Sequence, residues 1–198
     1  MISEPMTLAT DYLLAAVTAA LAVHILRGTE GQYARRLWGL AFLALALGAA
    51  LGGTYHGFQL EALWKPTVLM VGLASCGMVA GSAFATAHGR LRQALVAFAL
   101  VKLAAFWLWI WEDDRFIWVV ADTGLGFALV ALLHALRAKE PGSGAILAGV
   151  GLSVVAGLVQ ASGFDLHRHF DHNDLYHVIQ IAAMLAYYRG VRRLADRR

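Results

Sequence analysis

The sequence predicts an all-α fold: a single polytopic membrane domain of seven transmembrane helices, with the N-terminus outside and the C-terminus cytoplasmic. Three observations predict it. The chain of 198 residues is 60% hydrophobic and only 15% charged, which leaves too little polar surface for a soluble domain. The apolar residues fall into seven long runs, about 9–27, 38–59, 66–87, 92–111, 116–136, 144–164 and 174–190. Each is long enough, or nearly so, to cross roughly 30 Å of hydrocarbon. Lys and Arg, finally, collect in alternate loops.

Runs of this length, rich in Ala and Leu, are expected to be helices, because lipid offers the backbone no hydrogen-bond partner. The first opens on Asp11. The second carries the Gly52-Gly53 step and ends near His56. The third holds Gly77 and Gly81, a small-xxx-small pair suited to close packing in a bilayer; Gly72, Gly149, Gly151 and Gly157 suit it too. The fourth contains Lys102 and the fifth Asp122. A hairpin turning near Asp113-Asp114 would bring these two charges to comparable depth, where pairing is expected because an isolated charge in hydrocarbon is costly. The sixth run holds Gln160 near its end. The seventh follows a segment dense in His and Asp, Phe164 to Gln180. No linker, low-complexity tract or repeat divides the chain.

Orientation follows from the basic residues. Arg27, Arg35, Arg36, Arg90, Arg92, Arg137, Lys139, Arg189, Arg192, Arg193, Arg197 and Arg198 fall on one side, twelve against Lys65, Arg115 and Arg168 on the other. The positive-inside rule makes the richer side cytoplasmic, as in a bacterial inner membrane. A net charge of +3, confined to loops, is no nucleic-acid signature. The lone Cys76 lies in an apolar run and excludes an internal disulfide framework. With Glu4 and Asp11 near the start and no basic segment there, no cleavable signal peptide is expected.

With this topology Asp11, His56, Asp122, Gln160 and the His172–His177 segment, from five helices, share one depth in the outer leaflet, whereas His24, His88 and His134 lie toward the inner side. Neutral imidazole suits zinc, and a catalytic zinc takes three protein ligands and one water. His56 and His177 are the best-placed pair. His172 is five residues before His177, about 140° around a helix, and would share the metal only by reaching in from a cap. Asp174 is a ligand or an orienting partner, and His169, Asn173 and His177 form one stripe if the helix starts earlier. His167 and His169 otherwise read as a hydrated loop.

A histidine near the outer end of helix 2, with a histidine group after an aromatic residue at the start of helix 7, resembles the CREST superfamily, which includes alkaline ceramidases and the progestin and adipoQ receptors. The resemblance implies a zinc ion held by His56 and His177, and hydrolysis of a lipid amide. The chain departs from that pattern at Asn173, where the family has its other helix 7 histidine. It departs at Gly52, in place of a serine, and near Thr67, in place of an aspartate. His172 would then replace the absent ligand, and Asp122, Asp174 or Glu61 the absent acid.

The expected function is zinc-dependent hydrolysis of a membrane lipid amide or ester. Metal-bound water would attack, a carboxylate (Asp122 or Asp174) would move the proton, and Tyr55 or Tyr176 would hold the oxyanion. Two other readings compete. His56 and His177 could be axial ligands of a haem in an electron-transfer protein, or the polar pocket could serve a sensor or transporter without chemistry.

Overall fold

A computed structural model describes residues 2–29 and 31–197. It is all-helical: α1 (Pro5–Arg27), α2 (Tyr33–Phe58), α3 (Trp64–Thr86), α4 (Gly89–Glu112), α5 (Phe116–Ala135), α6 (Ser143–Ser162) and α7 (His172–Val191), with a 3-10 turn, Glu61–Leu63, ahead of α3. Among the described residues no strand forms; His167 and Phe170 make an isolated bridge.

Local chemistry sets the boundaries. Pro5 starts α1, where its missing N–H costs nothing. Gln59 turns α2 off through the left-handed region at φ 52°, and Gly163 does the same for α6 at φ 64°. Asp171 caps α7: its carboxylate accepts from the N–H groups of Asn173 and Asp174, and the Asp174 side chain accepts from the N–H of Asp171, a capping box. The start of α7 is thereby fixed at His172, two residues earlier than the apolar run predicts.

The helices close a ring. α1 packs on α2, α2 on α3, α3 on α5, α5 on α6, α6 on α7, and α7 returns to α1; α4 stands outside, against α3. Glycines allow the closest seams. A methyl group at Gly81 would stand 2.5 Å from the Trp38 ring, and one at Gly149 would stand 2.5 Å from the Tyr187 ring. Gly77 lies against Ala41, so the expected Gly77–Gly81 pair forms the α2–α3 seam. Gly151 and Gly157, expected to pack closely, have nothing within 4 Å. The α4–α5 hairpin is looser than expected, since both helices rest on α3. They meet at Lys102–Asp122 and where the Trp109 and Trp118 rings lie 5.3 Å apart.

Six helices are long and apolar enough to cross a membrane. α7 is not among them, because it carries Asp174, His177 and Arg189 within a short apolar stretch. Large apolar residues are exposed along α4 and α5, Leu100, Val101, Leu108, Trp109, Trp111 and Ile117 among them, as lipid contact requires. The chain is a multi-pass membrane protein by this measure.

The two ends of the bundle differ. At the basic end the C-terminal segment is strapped across the helix ends: Tyr33 and Ala34 donate their N–H groups to the Asp196 carboxylate at 2.8 and 2.7 Å, and Arg35 donates to the Leu194 carbonyl at 2.7 Å. At the other end the first turn of α1, the last of α2 and the first of α7 converge.

Candidate functional site

On α1, Thr7, Thr10 and Asp11 fall on one face, spaced by three and four residues, and all are buried. That polar stripe in an apolar helix needs polar partners, and α7 supplies them. His177 and Asp174, spaced by three, face the same seam. His177 Nε2 lies 3.1 Å from Asp11 Oδ1, and its Nδ1 lies 2.9 Å from Thr10 Oγ1. The Thr10 hydroxyl is also 3.3 Å from Asp174 Oδ1, and Asp174 Oδ2 accepts from the Asp171 N–H at 3.0 Å. None of Thr10, Asp11, Asp174 and His177 is more than 7% exposed.

α2 makes the room. A Cβ at Gly53 would stand 2.8 Å from Asp11 Cβ, and one at Gly52 would stand 3.8 Å from Asp11 Oδ2 and 3.4 Å from Thr67 Cγ2. Asp11 and Thr67 thus both border Gly52.

Hydroxyl proton counting gives the cluster two states. Thr10 has one proton to donate. When His177 is neutral with its proton on Nε2 toward Asp11, Nδ1 must accept, and Thr10 donates to it. When His177 carries both protons, Nδ1–H donates to Thr10 Oγ1, and the Thr10 hydroxyl is free to donate to Asp174 Oδ1 at 3.3 Å or to the Thr7 carbonyl at 3.2 Å. One proton on the imidazole therefore reverses the His177–Thr10 hydrogen bond and releases the Thr10 proton to another acceptor.

The expected ligand and catalytic residues are brought together only in part. His177 and Asp174 are joined as described. His56 shares their end of the bundle but bonds Glu4, Nδ1 to Oε2, at 2.9 Å. His172, the first residue of α7, turns back to Asp165 at 2.8 Å. The His172 side chain and N–H hold the exposed Asp165 carboxyl below the usual carboxylate range. The Tyr55 ring meets His56 edge-on and Trp64 at a tilt, with ring centroids 5.2 and 5.7 Å away. Tyr176 packs its ring 5.3 Å from that of His177. Gln160 donates to Asn173 at 3.3 Å.

Asp122 belongs to a separate buried cluster. Lys102 Nζ lies 2.5 Å from Asp122 Oδ1, 3.1 Å from Ser75 Oγ and 3.3 Å from the Asp122 carbonyl, which uses all three ammonium protons. Asp122 Oδ2 is buried without a partner.

The expected zinc site can be tested on these contacts. His56, His172 and His177 each engage a different carboxylate, and both His177 nitrogens are already committed. Among the described residues no group of three or more His, Cys, Asp or Glu is placed to hold a metal ion. As arranged, the donor set does not fit a zinc centre.

Sequence reasoning brought Asp11 to the level of His177, where the two meet, but assigned it no role, and it gave none to Thr10 or Glu4. The spacing of Thr7, Thr10 and Asp11 was the available signal.

Residues 6–196 match DUF6962, a family of unknown function, and the chain belongs to that family. No curated protein matches it, and no solved structure does.

Proposed function

We propose that this DUF6962 member is a proton-exchanging membrane protein of the sensor or transporter class, with His177 as its proton acceptor. The observation that carries this reading is the imidazole held between Asp11 and Thr10, with Asp174 behind the hydroxyl. Ionisable groups inside a membrane bundle are functional by default, and proton relays are built from such Asp and His chains. His177 takes a proton where two carboxylates can balance the charge. Thr10 then turns toward Asp174, and the change passes along the α1–α7 seam. The half-exposed Glu4–His56 pair, two turns outward from Asp11 on α1, forms the mouth.

The same proposal includes seven spans, α7 among them, with the N-terminus outside and the C-terminus in the cytoplasm. The basic asymmetry supports it. So does the polar content of α7, which faces α1 rather than lipid. A reporter fused to the C-terminus should be active only on the cytoplasmic side.

Two measurements test the function. Wild-type protein in vesicles holding a pH-sensitive dye should pass protons faster than His177→Phe if it transports. Histidine-labelled protein should show His177 titrating by nuclear magnetic resonance whether it transports or senses. Absence of both flux and titration overturns the reading.

A second reading, the zinc-dependent lipid hydrolase, is favoured by one observation: His56 shares one end of the bundle with the His177–Asp11 pair, and Asp11 lies beside Gly52. It requires His56 to leave Glu4 and His177 to leave Asp11. Elemental analysis of purified protein decides it. Stoichiometric zinc, lost in His56→Ala and in His177→Ala but kept in His167→Ala, would establish the metal; metal-free protein would end the hydrolase reading.

A further inference from the structure

The basic end holds a second group of polar side chains, far from the Asp11–His177 cluster. His134 of α5 is fully buried between two hydroxyls: Nδ1 lies 3.0 Å from Ser143 Oγ and Nε2 3.2 Å from Ser82 Oγ. Ser82 is fully buried and Ser143 is 1% exposed. A cavity of about 280 Å³ opens beside them, lined by Thr86, His134, Glu140, Ser143, Arg193 and Leu194 among others. Its size suits a metabolite rather than a lipid.

Proton counting identifies what the cavity lacks. A neutral imidazole has one N–H and each serine one O–H. Two hydrogen bonds within the trio use two of these three protons. The third has no acceptor inside it. If it sat on Ser82 it would be stranded in the bundle interior, at a cost of about 1–3 kcal/mol. If His134 donates through Nδ1, Ser82 donates to Nε2, and the spare proton sits on Ser143, the one serine of the trio that borders the cavity. Ser143 therefore holds the spare proton of the trio at the cavity's edge.

The charges there are also unmatched. Arg193 and Glu140 line the same cavity. Among the described residues neither side chain makes an ion pair, and both are exposed. A free cation and a free anion facing one cavity, with a hydroxyl donor between the helices, complement a ligand that carries both charges.

We infer that this cavity binds a small zwitterion of the α-amino acid type. Arg193 and the Ser143 hydroxyl take the carboxylate, and Glu140 takes the ammonium. His134 holds no ligand charge; it fixes Ser143 in the donating orientation and is a positioning residue. Under the topology proposed above the site faces the cytoplasm, but the binding inference does not depend on that orientation or on proton exchange at His177.

The test is titration calorimetry on the purified full chain, with L-alanine as probe and acetate and methylamine as its half-ligands. L-Alanine should bind saturably, at least tenfold tighter than either half. Arg193→Gln, an exposed position that leaves the fold intact, should weaken alanine at least tenfold. Glu140→Gln should weaken alanine while leaving acetate unchanged or tighter. Ser143→Ala should weaken both alanine and acetate; His134→Gln should do the same, and Ser143→Thr should restore binding in the otherwise wild-type chain. Arg115→Gln, at the opposite end, should change nothing. No saturable heat with alanine, equal affinity for acetate, or alanine binding indifferent to Arg193→Gln would each overturn the inference.

Discussion

Asp11 and His177, from the first and last helices, meet inside the bundle with Oδ1 and Nε2 3.1 Å apart. The contact joins the seam that closes the helix ring, so the residues that would move a proton also hold α1 against α7. Asp11→Ala leaves a buried imidazole N–H without an acceptor, and the expected loss is about 1–3 kcal/mol of stability. His177→Ala added to that background should cost less than it does in the wild type, because the shared contact is already gone. Strictly additive losses in thermal melts would show that the two groups do not act together.

Lys102 and Asp122 form the second buried pair, and sequence reasoning anticipated it. Lys102→Met leaves a buried carboxylate, and Asp122→Asn leaves a buried ammonium. Each should destabilise by about 3–5 kcal/mol, and the double replacement should cost less than either alone. Equal tolerance of both single changes would remove the pair from the account of stability. The test also bears on α4, which lies outside the ring and touches α5 at little beyond this pair.

The helices and the Lys102–Asp122 contact were legible because they rest on composition and on position along each apolar run. Hydropathy marks where a helix crosses, and charge marks which end of it is basic. What the sequence could not convey is which way a side chain turns within one level. His56, Asp11, His172 and His177 share an end of the bundle, yet His56 turns to Glu4 and His172 to Asp165. Those choices depend on the capping box at Asp171, which fixes where α7 starts, and on the crossing of α1 over Gly52 and Gly53. Neither is a property of one helix alone. The same limit explains why Gly151 and Gly157 pack against nothing while Gly149, on the same helix, lies against Tyr187.

The Asp165–His172 contact carries a pH signature. Hydrogen bonds from His172 depress the Asp165 carboxyl. A depressed carboxylate contributes stability above its unfolded value, and that contribution disappears as pH falls through the folded value. The closure of the 163–171 loop onto α7 should therefore persist through the ordinary aspartate range near pH ~3.9 and loosen only below it. The carboxyl carbon resonance of Asp165 reports this directly. A carboxyl transition centred at or above the ordinary value would contradict the contact, and so would an Asp165 carboxyl that titrates identically in His172→Ala.

At the basic end, Asp196 supplies the cap that α2 lacks in its own sequence: Gln32 precedes the helix and makes no side-chain cap, while Asp196 accepts from Tyr33 and Ala34. Asp196→Ala should cost about 0.5–2 kcal/mol, the usual range for a lost cap. Hydrogen exchange should rise at residues 33 and 34 and leave the rest of α2 protected. Uniform exchange along α2, or none at its first turn, would show that the C-terminal segment is not its cap.

Gly53 tests whether the α1–α2 crossing positions the proton site. A Cβ there would stand 2.8 Å from Asp11 Cβ and 3.1 Å from the Tyr12 ring. Asp11 Cβ belongs to the root of its side chain and cannot rotate away, so α1 must shift, and a shift of α1 moves Asp11 Oδ1 off His177. Gly53→Ala should therefore destabilise by about 1–3 kcal/mol, the usual cost of overpacking, and should alter the pH titration of His177. Gly151→Ala is the control: its Cβ meets nothing within 4 Å, and alanine is favoured over glycine in a helix interior by about 0.5–1 kcal/mol. It should hold or raise the melting temperature and leave the His177 titration unchanged. If Gly53→Ala and Gly151→Ala behave alike, the Gly52-Gly53 step only thins the helix, and the placement of Asp11 must come from α7 alone.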